Sequence, residues 1–302
     1  MGDTPSMNWL AKVAACKVMS MIPGGATPQP VAPDRVKVEQ RLAIGMQYLE
    51  SLEKLGAAGR LKAGAHFDFG CGSHPAIPLL YYALGCDRQF LFDPTPSLDE
   101  SQLDATIAIF LEIITDPAWP HSEKIRRLPE HKPGCQLMEH LDAMGMTCVT
   151  LCDGKFTGTD AKIDVATSTR VLRHIDINEL KASLESIHAS LRKGGYFMAT
   201  VRLEDEFVDI DPDISRYNHL RYSPWVWEKL INSRTMSHNR LRPRDYRELL
   251  ENAGLCIERF DTGEPAPADL EELRNIRVHP CFAHYPPEEL GARFLTFAAR
   301  KV

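Results

Sequence analysis

The chain has 302 residues, 41 acidic and 35 basic side chains, and a formal net charge of −6. A chain of this size buries a sizeable core without disulfides or metals, and its acidic balance argues against a non-specific nucleic-acid binder. No apolar run approaches a bilayer span, and the eight cysteines contain no Cys-x-x-Cys pair, which points to reduced thiols in a cytoplasmic protein.

Met7 to Met21 reads as an amphipathic helix, interrupted by Lys12 and Lys17 and without a cationic leader, so a signal peptide is not expected. A proline-rich break follows over 22–33. Val38, Leu42, Met46, Leu49 and Leu52 then recur at three- and four-residue spacing, predicting a helix that stops near Gly56. Strand one covers 65–69 and ends in Gly70-Cys71-Gly72-Ser73. An apolar, helix-length segment leads to strand two, 89–92, which ends in Asp93. Glycines after a strand let the backbone approach a ligand. An acid at the tip of the next strand, roughly 20 residues on, suits a ribose diol. An adenosine-type cofactor is therefore expected. The dinucleotide pattern G-x-G-x-x-G fails at its third glycine, where Pro75 stands, and there is no G-x-x-x-x-G-K-[ST] phosphate loop.

Between strands two and three, residues 97–146 carry helical periodicity at Leu103, Ile107, Phe110, Leu111 and Ile114, and a second helix near 139–144. Strand three is expected at 147–151, strand four at 162–168 and strand five at 196–202. Leu180, Leu184, Ile187 and Leu191 mark the helix before strand five, with Asp176 or Asn178 as its cap and Gly194-Gly195 as its end. A helix over 244–253 and strands at 255–260 and 293–300 complete the pattern. Strands alternating with helices imply a parallel sheet covered on both faces. The connection after strand five leaves the sheet edge where ligands sit in such folds. It is dense in Tyr217, His219, Tyr222, Trp225, Trp227, His238 and Asn239. Its aromatics can wall a dry substrate site whose faces favour a cation, or form a helical lid that buries them for its own stability. The histidines show no ligand-like spacing with cysteines or carboxylates, so no metal is expected.

Asp68, Gly70 and Gly72 resemble motif I of the class I S-adenosylmethionine (SAM) methyltransferases. Asp164, Val171-Leu172, His174 and Gly194-Gly195 resemble the later motifs of the small-molecule members, in the same order. Arg173 departs from a pattern that often has Glu there, which removes a carboxylate that some members use for a metal. The resemblance spans about residues 60–300. It implies a Rossmann-like, doubly wound, mostly parallel seven-stranded sheet, with a helical cap over 1–60 and a catalytic domain over 61–302. Insertions fall at about 97–146 and 204–242, the second acting as a lid after strand five. It further implies that Gly70 and Gly72 run beside the methionine part of SAM and that Asp68 accepts from its ammonium group. Asp93 would hold the ribose, Asp153 the adenine, and Ser168 and Thr169 would border the sulfonium. His174 is the nearest candidate base, its alternative being a packing role at a helix start. Tyr217, His219, Tyr222, Trp225, His238 and Asn239 are the candidate acceptor contacts. The expected activity is methyl transfer to O or N of a small molecule, with neither nucleic acid nor membrane as partner and the oligomeric state open. Two alternatives remain: other SAM chemistry that releases methylthioadenosine, and a SAM-binding protein without catalysis.

Overall fold

Seven strands form one sheet, and the order in which they pair decides where a ligand can sit. The computed structural model describes Val13 and residues 33–93, 97–152, 155–157, 162–233 and 237–302. The strands are β1 (Ala65–Phe69), β2 (Arg88–Phe92), β3 (Met146–Cys148), β6 (Ile163–Thr169), β7 (Leu191–Arg202), β8 (Leu255–Asp261) and β9 (Phe294–Lys301). Their order is β3-β2-β1-β6-β7-β9-β8. Only β9 runs antiparallel to its neighbours. The chain moves outward from β1 through β2 to β3, then crosses back to β6 on the other side of β1. Ligands of open α/β sheets bind at such a reversal, beyond the carboxyl ends of the strands.

Helices α1 (Arg35–Lys54), α2 (Gly59–Ala63), α3 (Ala76–Ala83), α4 (Glu100–Ile114) and α5 (Leu137–Ala143) precede β3, and α6 (Ile177–Ser190) and α7 (Pro243–Asn252) follow β6 and β7. Asp34 caps α1 by accepting from the Lys37 amide, and Asp176 caps α6 by accepting from Asn178. The predicted stripe of α1, Val38, Leu42, Met46, Leu49 and Leu52, is buried against α3 and α4 in one core with Leu80, Ile107 and Phe110. The other face of the sheet packs Phe67, Phe69, Phe90 and Phe92 with Leu180, Leu184 and Ile187 of α6 and Tyr246 and Leu250 of α7. Alternation along β1 thus sends His66 and Asp68 toward the α1 side and the two phenylalanines toward the opposite side.

Four expectations change. Strand three is split: β3 pairs with β2, whereas β4 (Thr150–Cys152) pairs antiparallel with β5 (Lys155–Thr157) in a separate hairpin. The chain bends at Val149, whose amide makes the last bond to β2, at the Leu91 carbonyl. Gly194-Gly195 does not end α6. The helix stops at Ser190, and Gly194 sits at φ 76° inside β7, at an irregularity of its pairing with β6. Leu191 is correspondingly the first residue of β7 rather than part of the helix stripe. The link from β8 to β9 carries two unforeseen short helices, α8 (Pro267–Arg274) and α9 (Pro287–Gly291). The predicted helix 7–21 lies outside the described residues except for Val13, which is helical and buried against Phe207, Trp227 and Ile231.

Candidate active site

At the end of β1 the backbone turns through Gly70 (φ 89°) and Gly72 (φ 63°), conformations that side chains other than glycine rarely adopt. The amides of Gly70 and Cys71 both donate to the Phe92 carbonyl, at 2.7 and 3.1 Å, which locks the turn to β2. The Gly72 amide donates to Asp93 Oδ2 at 2.8 Å. The two glycines differ in what surrounds them. A Cβ on Gly70 would lie 2.2 Å from Val171 Cγ2, so packing alone requires glycine there. A Cβ on Gly72 would meet only Arg41 Nη2, at 3.7 Å. The backbone at Gly72 therefore borders open space, as a cofactor cradle needs, and Arg41 of α1 reaches over it.

Asp68 is 3 % exposed and sits below this turn. Burial pushes its carboxyl up to about 6, against the opposing field of Arg41 and a hydrogen bond to Thr167. Thr167 Oγ1 is 3.0 Å from Asp68 Oδ1 and 2.8 Å from His66 Nε2. His66 Nδ1 in turn meets Gln89 Oε1 at 2.9 Å. Ser168 Oγ donates to the Phe69 carbonyl, while the Tyr48 hydroxyl of α1 reaches the Ser168 carbonyl at 3.0 Å and Thr169 Oγ1 at 3.3 Å. Burial raises the Tyr48 hydroxyl to about 12, so it stays a donor. Asp153 lies outside the described residues. Arg41 and Tyr48 escaped the sequence reading, although their seven-residue spacing puts both on one face of α1.

The other half of the edge lies beyond β6 and β7. Arg170 takes φ 62°, an uncommon state for a branched polar chain. Residues 172–175 are clamped to the segment after β7. The Asn239 amide donates to the Arg173 carbonyl, and its side-chain amide donates to Leu172 and Ile175. His174 Nδ1 lies 2.6 Å from the Ser237 carbonyl and Ser237 Oγ donates to the His174 carbonyl. Nδ1 therefore carries the proton and Nε2 is left as an acceptor. Partial burial lowers the His174 pKa, with Glu206, 3.7 Å from Nδ1, opposing it.

The acceptor candidates separate into four places. His219 and His238 are buried together, ring centroids 4.9 Å apart, beside Trp227. Tyr222 stands at the edge of this group, 6.4 Å from Trp227. Tyr217 packs elsewhere, with Leu273, Phe282 and Leu290, and its hydroxyl donates to the Gly291 carbonyl. Asn239 is a clamp. Trp225 is 64 % exposed and outside the cluster. Among the described residues no three His, Cys, Asp or Glu side chains group as a metal ion requires. No described helix is long and apolar enough to cross a membrane.

Sheet order, the glycine turn at the strand-order reversal and the acid that holds it define a nucleotide-type binding fold with a cofactor site at the ends of β1 and β2. Residues 42–259 match a methyltransferase-domain family, and the chain belongs to that family. It is a SAM-dependent methyltransferase, and the backbone at Gly72 leaves room beside it. Similar solved structures include magnesium protoporphyrin IX methyltransferase from Synechocystis PCC 6803 with bound S-adenosylhomocysteine (14 % identity, 88 % of this chain and 87 % of that one, TM-score 0.44). A second is the N-methyltransferase NodS from Bradyrhizobium japonicum WM9, also with S-adenosylhomocysteine (11 % identity, 97 % and 98 %, TM-score 0.39). A third is a methyltransferase from Haloferax volcanii in complex with its Trm112 activator (16 % identity, 86 % and 96 %, TM-score 0.41). No curated protein matches the chain.

Proposed function

We propose that the enzyme methylates an oxygen or nitrogen of a small-molecule acceptor held between the ends of β6 and β7 and the segment 204–242. The observation that carries this reading is the His174 tautomer: Nδ1–H is fixed on the Ser237 carbonyl, leaving Nε2 to take a proton from an acceptor. Bound SAM supplies a methyl group already activated by its sulfonium. The chain's task is to bind, orient and exclude water. Asp93, held by the Gly72 amide, accepts from the ribose diol. Gly70 and Gly72 line the methionine part, and Asp68 accepts from its ammonium. Ser168 and Thr169, pinned by Tyr48, border the sulfonium, and Asp153 takes the adenine. Residues 1–60 act as a cap and 204–242 as a lid, consistent with Val13 packing on Trp227. His219, His238 and Tyr222 face the acceptor from the lid, and Tyr217, Trp225 and Asn239 are further candidate acceptor contacts that lie outside that group.

Mass spectrometry of the purified enzyme incubated with SAM and a small-molecule extract tests this. The expected result is S-adenosylhomocysteine together with one small molecule heavier by a methylene unit. Methylthioadenosine as the product, or label from SAM found only in protein or RNA, overturns it.

A further inference from the structure

Three arginines are buried around the two lid histidines, and little carboxylate charge answers them. The Arg242 guanidinium donates to the carbonyls of Leu203, Glu289, Leu290 and Ala292. Arg240 donates to the carbonyls of His219 and Tyr222 and lies over the rings of Trp227 and Phe282, at 4.9 and 5.1 Å. Arg173, 2 % exposed, reaches one carbonyl, that of Arg202 at 3.4 Å, through Nη1. Among the described residues its Nε and Nη2 have no hydrogen-bond partner, and the Glu206 carboxylate pairs with Nη2 at 3.8 Å, beyond hydrogen-bond reach.

The histidines lack partners as well. His219 is fully buried, and neither ring nitrogen makes a hydrogen bond of proper geometry, although the Arg216 backbone faces the ring. His238 Nδ1 accepts from the Arg240 amide at 3.3 Å, so its proton sits on Nε2, which has no acceptor. Burial and the surrounding arginines hold both imidazoles well below 6.5, hence neutral. The nearby carboxylate of Asp205 is already taken: Oδ1 accepts from the Phe207 amide and Oδ2 from Asn218. The group is therefore rich in buried donors and short of acceptors, an arrangement that is costly when left unmatched. The unmatched edge of Arg173 is Nε with Nη2, the pair that grips a planar carboxylate through two parallel bonds.

We infer that Arg173, His219 and His238 form a carboxylate-binding site next to His174, and that the methyl acceptor carries that carboxylate. The second half of this statement rests on the methyl-transfer reading above; the site itself does not. A monoanion supplies the hydrogen bonds that the Arg173 edge lacks, Glu206 standing off at 3.8 Å, and gives the His238 Nε2–H an acceptor. Glu206 lies 3.8 Å from Arg173 Nη2 and 3.7 Å from His174 Nδ1, so a carboxylate gripped at Arg173 holds the acceptor close to the base.

Histidine ring-nitrogen spectra of the wild-type protein, titrated with sodium benzoate, test the site, with benzamide as neutral isostere and inorganic phosphate as competing anion. His219→Asn and His238→Asn spectra assign the signals. Benzoate is expected to move both histidines saturably and benzamide to leave them in place. Arg173→Lys, which keeps the charge but not the fork, is expected to weaken benzoate at least tenfold. Signals unmoved by any anion mean that buried water satisfies these donors and overturn the site. Equal shifts with benzamide, preference for phosphate, or benzoate affinity unchanged in Arg173→Lys overturn the carboxylate assignment. SAM calorimetry on the same wild-type sample separates the two readings. Benzoate binding without SAM binding keeps the site and removes the transfer reading. SAM binding with unresponsive histidines removes the site alone.

Discussion

The two halves of the sheet's carboxyl edge are built from different materials. At β1 and β2 the site is mostly backbone: two left-handed glycines, two amides on the Phe92 carbonyl, and one carboxylate holding the turn. All of it lies within residues 68–93. At β6 and β7 the edge is made of side chains from residues far apart in the chain, joined by contacts to the segment after β7 such as Asn239 to Leu172 and Ser237 to His174. A ligand shared by many enzymes can be met by a local backbone turn. A ligand particular to one enzyme has to be met by side chains that only the tertiary fold assembles.

The sharpest way to break this comparison is to damage each half where it is least tolerant. Gly70→Ala forces a left-handed alanine into Val171, a contact of 2.2 Å. Strain and overpacking together should cost about 2–4 kcal/mol of folding stability by urea denaturation. Gly72→Ala, with only Arg41 at 3.7 Å, should cost about 1 kcal/mol and show mainly as weaker SAM binding. Equal stability losses at both positions would contradict the assignment of one glycine to packing and the other to the cofactor.

On the acceptor side, His174→Asn should lower turnover about a hundredfold or more while SAM affinity measured by calorimetry stays put. The pH profile gives the sign. A base works when neutral, and burial lowers the His174 pKa below 6.5. Activity should hold through neutral pH and fall on the acid side below that value, and the acid limb should vanish in the variant. An acid limb that persists unchanged would assign the proton transfer to another group. Next in size, Asp93→Ala removes the anchor of the Gly72 amide and the proposed ribose acceptor. A charge-assisted hydrogen bond of about 1.5–3 kcal/mol translates into SAM binding weaker by at least about tenfold, read by calorimetry at a temperature where the variant is folded.

The same contrast explains what the sequence made legible. The turn at Gly70 and Gly72 and the position of Asp93 were readable because they follow from short-range order: strand, turn, helix, strand, acid. The stripe of α1 was readable from its period, and five of its residues are buried as expected. Arg41 and Tyr48 were not read as site residues, because nothing local shows that α1 lies over the carboxyl edge. In the segment after β7, composition marked the aromatic residues and could not sort them. Trp225 and Trp227 are two residues apart, yet one is 64 % exposed and the other fully buried. Arg173 looked like a departure from a pattern, and its meaning depends on His219 and His238, which sequence separation hides.

A final prediction concerns proton placement under the cofactor cradle, where the effect is smaller and the logic tighter. Gln89 Nε2 donates to the Pro78 carbonyl at 2.9 Å, which turns Gln89 Oε1 toward His66 Nδ1. Nδ1 must then carry a proton, and Nε2 of a neutral His66 is an acceptor facing Thr167. Thr167 has one proton, and both His66 Nε2 and Asp68 Oδ1 lie within its reach. With Asp68 ionised, Thr167 donates to its carboxylate and holds its pKa down; with Asp68 protonated and His66 neutral, Asp68 can instead donate to Thr167, which then donates to His66. Burial favours the second arrangement, raising Asp68 to about 6 and lowering His66 to about 4, with Asp93 reinforcing the first shift and Arg41 opposing it. Asp68 accepts from an ammonium group only once it has lost that proton. SAM affinity should therefore rise about tenfold between pH 5 and 7 and level off above, since the protonated fraction of the free protein falls by that factor across a pKa near 6. Thr167→Val decides the direction of the chain. If Asp68 is the donor, losing the acceptor hydroxyl destabilises the protonated form and the midpoint of the affinity curve moves to lower pH. A midpoint that moves up, or an affinity flat from pH 5 to 7, would show that Asp68 is ionised throughout and that Thr167 donates to it instead.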